Sequence, residues 1–131
     1  MDDNDTILIR ELKNSYVMQL DWYRELGMVV QKILGKLILS RGDISGLVSG
    51  LEKKQKILAF IENERNRVSD YVKQWQERKK CVANEDEVQE LNLLLTDVEK
   101  AIKAFLNEED QLKKYIERLL EKDSQGNDIA T

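Results

Sequence analysis

Arg41, Gly42 and Asp43 are the first residues of this sequence whose types and spacing could do chemistry, since an exposed Arg-Gly-Asp loop in an exported protein can dock into a cell-adhesion receptor. Their flanks, LILSRGDISGLVSG, point to a different role. Gly42 suits the left-handed position that ends a helix, Asp43 can accept hydrogen bonds from the free amides of a following helix, and Arg41 suits the negative end of a helix dipole. The tripeptide reads as stop, turn and N-cap. The next candidates are the 25 Asp and Glu side chains. A helical bundle can build a di-iron centre from carboxylates, but that centre also needs a Glu-x-x-His pair, and histidine is absent. The same absence removes the usual general base and the commonest metal ligand. Charge runs such as NEDE then read as solvated faces, Cys81 as a reduced thiol in a turn, and the scattered glycines form no phosphate loop. The expectation is a protein that is not an enzyme, with no catalytic residue, no metal and no cofactor.

Residues without such chemistry act by packing, so the elements that position them come next. Across 131 residues, charged side chains make up 35% and apolar ones 41%, with aromatics at 6% and no proline, a balance that favours long helices packed along narrow stripes. Ile9, Leu12, Tyr16, Leu20, Tyr23, Gly27, Val30, Leu34 and Leu37 recur at steps of three and four and predict a first helix over about 5–40. Gly27 lies on that stripe and is expected to mark a close helix approach. Ile44, Leu47, Leu51, Leu58, Ile61, Val68, Val72 and Trp75 predict a second helix over about 43–80, with Lys54 and Arg65 occupying two positions of the stripe. Ser49 to Glu52 has the form of a capping box, which allows a kink or a short separate helix before it. Val88, Leu91, Leu95, Val98, Ile102, Phe105, Leu112, Ile116 and Leu119 predict a third helix over about 84–122, started by Asn84 with Glu87 and interrupted only by Glu109. The remainder, 123–131, lacks periodicity and is expected to be a flexible tail.

Helices of this length can bury their stripes only side by side, which gives the fold class: all-α, three long helices in an up-down-up antiparallel bundle or helical hairpin coiled coil, with 1–122 as a single domain. Pairing the second and third helices about their bend brings Lys54 opposite Glu109. Net charge runs from about −1 over 1–40 to +4 over 41–84 and −7 over 85–131, summing to −4. The basic helix thus has an acidic neighbour within the chain, and nucleic acid is not an expected partner. No segment reaches the roughly 20 apolar residues of a membrane span. An acidic N-terminus without an apolar leader, and a single cysteine, fit a cytoplasmic protein.

Apolar surface is left over. Met18, Trp22, Leu26, Val29 and Ile33 form a second stripe on the first helix, which serves either both of its neighbours or a dimer contact. Leu94, Ala101, Leu106, Tyr115 and Leu120 lie off the main seam of the third helix. Exposed residues of this kind would form a groove for a foreign helix.

The segment LGKLILSRGDISGLVSGLEKKQKILAFIENER, Leu34 to Arg65, resembles the FlgN-like flagellar type III export chaperones. The matching features are a long first helix with Leu39, the Gly42-Asp43 reversal, Leu47 and Leu51 after it, then Lys54 or Lys56 followed by Ile57, Leu58 and Ile61. By motif the resemblance covers about a quarter of the chain, and by size and three-helix layout the whole. It implies a non-catalytic bacterial cytoplasmic chaperone of flagellum biogenesis that binds the C-terminal helix of hook-filament junction proteins, keeps them unpolymerised and delivers them to the type III export apparatus. Carried over by position, the implied partner-binding residues are Leu106, Leu112, Tyr115, Ile116, Leu119 and Leu120. The alternative is a self-associating coiled-coil scaffold or adaptor, which would pair with copies of itself.

Overall fold

The computed structural model describes residues 3–81 and 85–130; of residue 85 and residues 123–130 it describes the backbone alone. Its elements are α1, Asp3–Leu39; α2, Leu47–Arg78; and α3, Glu85–Ala130. The all-α expectation is borne out, and the described residues contain no strand. Asp3 and Asp5 stand in the first turn of α1 and Lys36 in its last, each sign where the helix dipole favours it. The periodic residues Ile9, Leu12, Leu20, Tyr23, Val30 and Leu37 of that helix are all buried.

The reversal after α1 differs from its expected form by a residue. Gly42 N–H donates to Leu37 O at 2.8 Å and Arg41 N–H to Ile38 O at 3.2 Å, the paired bonds of a Schellman motif. Arg41 therefore takes the left-handed position itself, at φ 57°, and Gly42 follows at φ 92°. Asp43 does not cap α2: its carboxylate accepts the Ser45 N–H at 2.9 Å, closing a local turn. That bond draws its carboxyl below the usual aspartate range, the Ser45 backbone amide being the main cause. A further turn, Leu47 N–H to Ile44 O at 3.0 Å, separates Asp43 from the helix. The N-cap is Gly46, without a side-chain hydrogen bond. Ser49 lies inside a continuous α2, so the capping box there does not start a helix. Asn84 lies outside the described residues, and α3 has helical backbone through Ala130, beyond the expected end at Lys122.

α1 is the central element. α3 runs parallel to it, with Lys13 paired to Glu90 and Gln31 to Glu108, each pair 77 residues apart. α2 runs antiparallel: Arg78 meets Asp5 near one end, Trp22 and Phe60 stack at 5.9 Å midway, and Gly50 meets Ile33 near the other. The close approach falls at Gly50, where a Cβ would lie 2.5 Å from Ile33 Cγ1. Gly27, where it was expected, has nothing within 4 Å of a would-be Cβ. The partner of a glycine depends on how far one helix slides along the other, which spacing within one helix does not specify. Two core clusters result, a larger one from Leu20 to Leu37 with Ile57, Ile61, Val98, Phe105 and Leu112, and a smaller one of Leu8, Ile9, Leu12, Trp75 and Leu91.

α2 and α3 are held apart. Among the described residues, no Cα of α2 lies within 8 Å of a Cα of α3. Helices in ordinary side-by-side packing have axes about 8–10 Å apart, so the two outer helices leave a seam floored by α1.

Candidate helix-binding seam

The edge of α2 that faces the seam explains its width. Leu51, Lys54, Leu58, Arg65 and Val72 succeed one another at helical spacing. Long cationic side chains do not interdigitate with an apolar ridge as leucines do, and burying them unpaired is costly. Lys54 solves this by reaching across to Glu109, as the two sequence interruptions foretold. With side chains 17% and 30% exposed, the pair is partly buried and spans the gap that the backbones do not close. Beside it Leu51, Leu106, Leu112 and Ile116 line an open cleft of about 480 Å³.

Toward the other end the seam changes character. Tyr16, Gln19 and Tyr23 of α1 form its floor, with Arg65, Val68, Ser69, Val72 and Lys73 on the α2 side and Ile102 on the α3 side, around a cleft of about 440 Å³. Gln19 donates to Ser15 Oγ at 3.0 Å, which satisfies both buried side chains. The Tyr16 phenol is pushed above the usual tyrosine range by burial, against the opposing pull of the Arg65 charge. Arg65 and Lys73 themselves have no carboxylate within 4.0 Å among the described residues. The other α2 cations near α1 do: Arg67 meets Glu64 and Glu11, and Arg78 grips Asp5 with both Nε and Nη2, at 2.9 and 2.8 Å. That grip depresses the Asp5 carboxyl, the hydrogen bonds from Arg78 being the main cause.

The residues implied by the resemblance divide into groups. Leu112 is buried in the larger core, and Leu119 lies over Gly42, 3.1 Å from a would-be Cβ there. Tyr115 is half-buried, with its hydroxyl donating to Leu37 O at 3.5 Å, so it too serves the bundle. Leu106, 53% exposed, and the half-buried Ile116 face the cleft, while Leu120 is 63% exposed at the same end of the molecule. Of the two roles open to the second stripe of α1, Leu26, Val29 and Ile33 serve the neighbours: they are buried in the core, where α1 contacts both α2 and α3. Trp22 is half-buried against Phe60, and only Met18, 41% exposed, is left open. Leu51, Tyr16, Tyr23, Gln19 and Lys73 also line the seam, beyond the residues the resemblance implies. The signal that could have found the seam was the polar residues Lys54 and Arg65 on an otherwise apolar stripe.

The chain matches no protein-family model, no curated protein and no solved structure among those it was compared with. Among the described residues, no helix is long and apolar enough to cross a membrane.

Proposed function

We propose that this chain is a non-catalytic chaperone that captures a partner's amphipathic helix in the seam between α2 and α3. Following the family resemblance, the partner is the C-terminal helix of a flagellar hook-filament junction protein, held unpolymerised in the cytoplasm and passed to the type III export apparatus. The observation that carries the reading is the separation of α2 from α3, which leaves Leu51, Leu106 and Ile116 lining a cleft instead of packing on each other. A fourth helix laid there would bury these side chains on both sides. Each fully buried aliphatic anchor is worth about 1.5–3 kcal/mol, so two or three anchors contribute roughly 3–9 kcal/mol before the cost of ordering the partner.

Titration with a helical peptide from the C-terminus of a hook-filament junction protein tests the reading. Wild type is expected to bind it one to one. Leu106→Asp, at a position exposed enough to leave the fold intact, is expected to weaken binding at least tenfold with an unchanged unfolding curve. Equal binding by both proteins removes the seam from the reaction. Mass that grows with concentration, with no peptide bound, replaces the chaperone by a self-associating scaffold.

A further inference from the structure

We infer that the helix taken by the seam carries a pair of acidic residues seven or eight positions apart, which lie against Arg65 and Lys73. The inference rests on the helix-capture reading and adds the chemistry of the occupant. Arg65 faces two adjoining clefts, one shared with Tyr16, Gln19, Tyr23 and Lys73, the other with Gln55, Leu58 and Glu62. Neither Arg65 nor Lys73 has a carboxylate within 4.0 Å among the described residues, although Glu62 lines one of these clefts one turn from Arg65. From α3 the cleft that holds both cations receives Ile102, an apolar residue that offers them no counter-charge.

The spacing follows from helix geometry. Arg65 and Lys73 are eight residues apart on one helix, about 12 Å at 1.5 Å per residue. A helix lying along α2 meets both with carboxylates at i and i+7 or i+8, which also share a face. The opposite end of the seam has the reverse character: Glu109, Asp110 and Glu117 line it with Lys54 and Lys113, and Lys54 is already engaged by Glu109. An acidic end placed there would be repelled. The occupant therefore sets its acidic end beside Arg65 and Lys73 and its apolar anchors beside Leu51, Leu106 and Ile116. Leu51 and Arg65 are separated by about 21 Å along α2, so anchors and acids are about two heptads apart. A partner fixed at both ends is held in one direction and register, which an apolar groove alone does not enforce.

The probe is a helical peptide with an apolar stripe and two Glu residues eight positions apart, about two heptads from its apolar anchors, compared with the same peptide carrying Gln or Lys at those positions. Wild type is expected to bind the Glu peptide about two- to thirty-fold more tightly than the Gln peptide at low salt, the size of two partly screened ion pairs. The preference is expected to shrink as ionic strength rises from about 50 mM to 500 mM. Arg65→Gln with Lys73→Gln is expected to abolish it, and Arg65→Glu with Lys73→Glu to favour the Lys peptide. Both positions are solvent-exposed, and unchanged helical content confirms that the variants fold. Equal affinity of wild type for the Glu and Gln peptides overturns the charge assignment while leaving helix capture standing. Binding of none of the peptides, or of a polyphosphate chain in their place, overturns both.

Discussion

Gly50→Ala turns a close approach of α2 to α1 into a measurable cost. The added Cβ would stand 2.5 Å from Ile33 Cγ1 and 2.7 Å from Cδ1, about an ångström inside ordinary contact. Ile33 is buried and β-branched within a helix, so its χ1 has essentially one well and the side chain cannot swing clear. Either α2 moves outward or Ile33 leaves its rotamer, and overpacking of this kind costs about 1–3 kcal/mol. Against that, alanine is a better helix former than glycine by about 0.5–1 kcal/mol. The steric term wins, with a net loss of about 1 kcal/mol and a Tm lower by roughly 3–5 °C for a chain of this size. Gly27→Ala is the control: nothing lies within 4 Å of its would-be Cβ, so only the propensity gain remains and Tm should rise.

The assay is urea unfolding followed by circular dichroism on a double-mutant cycle with Ile33→Ala. Alone, that substitution should cost about 2–5 kcal/mol through lost burial and the cavity it leaves. In the Gly50→Ala background the new methyl group enters the vacated space, so the same change should cost at least ~1 kcal/mol less. If Gly50→Ala stabilises as much as Gly27→Ala, or the cycle shows no coupling, α1 and α2 do not meet at this residue pair. The register that sets Lys54 against Glu109 would then lose its basis.

Three further outcomes follow from the same contacts. Glu109→Leu leaves the Lys54 ammonium partly buried without its partner and should cost about 1–2 kcal/mol, whereas Lys54→Met with Glu109→Leu should come within ~0.5 kcal/mol of wild type in urea unfolding. Arg41→Gly should raise stability by about 0.5–1 kcal/mol, because a side chain at φ 57° is strained where glycine is not; an unchanged or lower urea midpoint would count against the Schellman assignment. Asp5 has a folded-state pKa below its ordinary 3.8, so its contribution is complete above that value and is lost as pH falls through the depressed one. Acid unfolding of Asp5→Asn should accordingly show a shallower slope below about pH 4 than wild type, and parallel curves for the two would refute the Arg78 clamp.

Much of the bundle was legible because its information is local. The three-and-four spacing of Ile9 to Leu37 and of Val88 to Leu119 needs only one helix to be read, and even the Lys54–Glu109 match needs only a bend of known length. What was missed depends on two or three helices at once. Gly27 and Gly50 look alike in sequence, and only the sliding of α2 along α1 selects Gly50 to face Ile33. The sequence leaves the second stripe of α1 open between core and interface because its consumers, Phe60 and the Gly50 region, lie on a helix whose angle about α1 is not written in it. At the reversal, Arg41 was passed over for the left-handed position because a non-glycine residue there is disfavoured by its own geometry; two Schellman hydrogen bonds outweigh that preference.

The polar interruptions of α2 carry the same lesson into function. A charged residue on an otherwise apolar stripe cannot be buried alone, so it must find a counter-charge, keep its neighbour at a distance, or await one. Lys54 finds Glu109, and the long reach required of both side chains goes with the wide spacing of the outer helices. Arg65, eleven residues further on the same edge, faces clefts where α3 contributes only the apolar Ile102. Packing within the chain therefore pairs the first interruption, while Arg65 stays exposed to water with no carboxylate within 4.0 Å among the described residues. The proposed helix, with carboxylates in register, would supply that counter-charge and also cover the leucine-lined cleft at the other end. One such occupant would account for two features, the open apolar cleft and the exposed cations, that self-association through the buried stripe of α1 would explain in neither case.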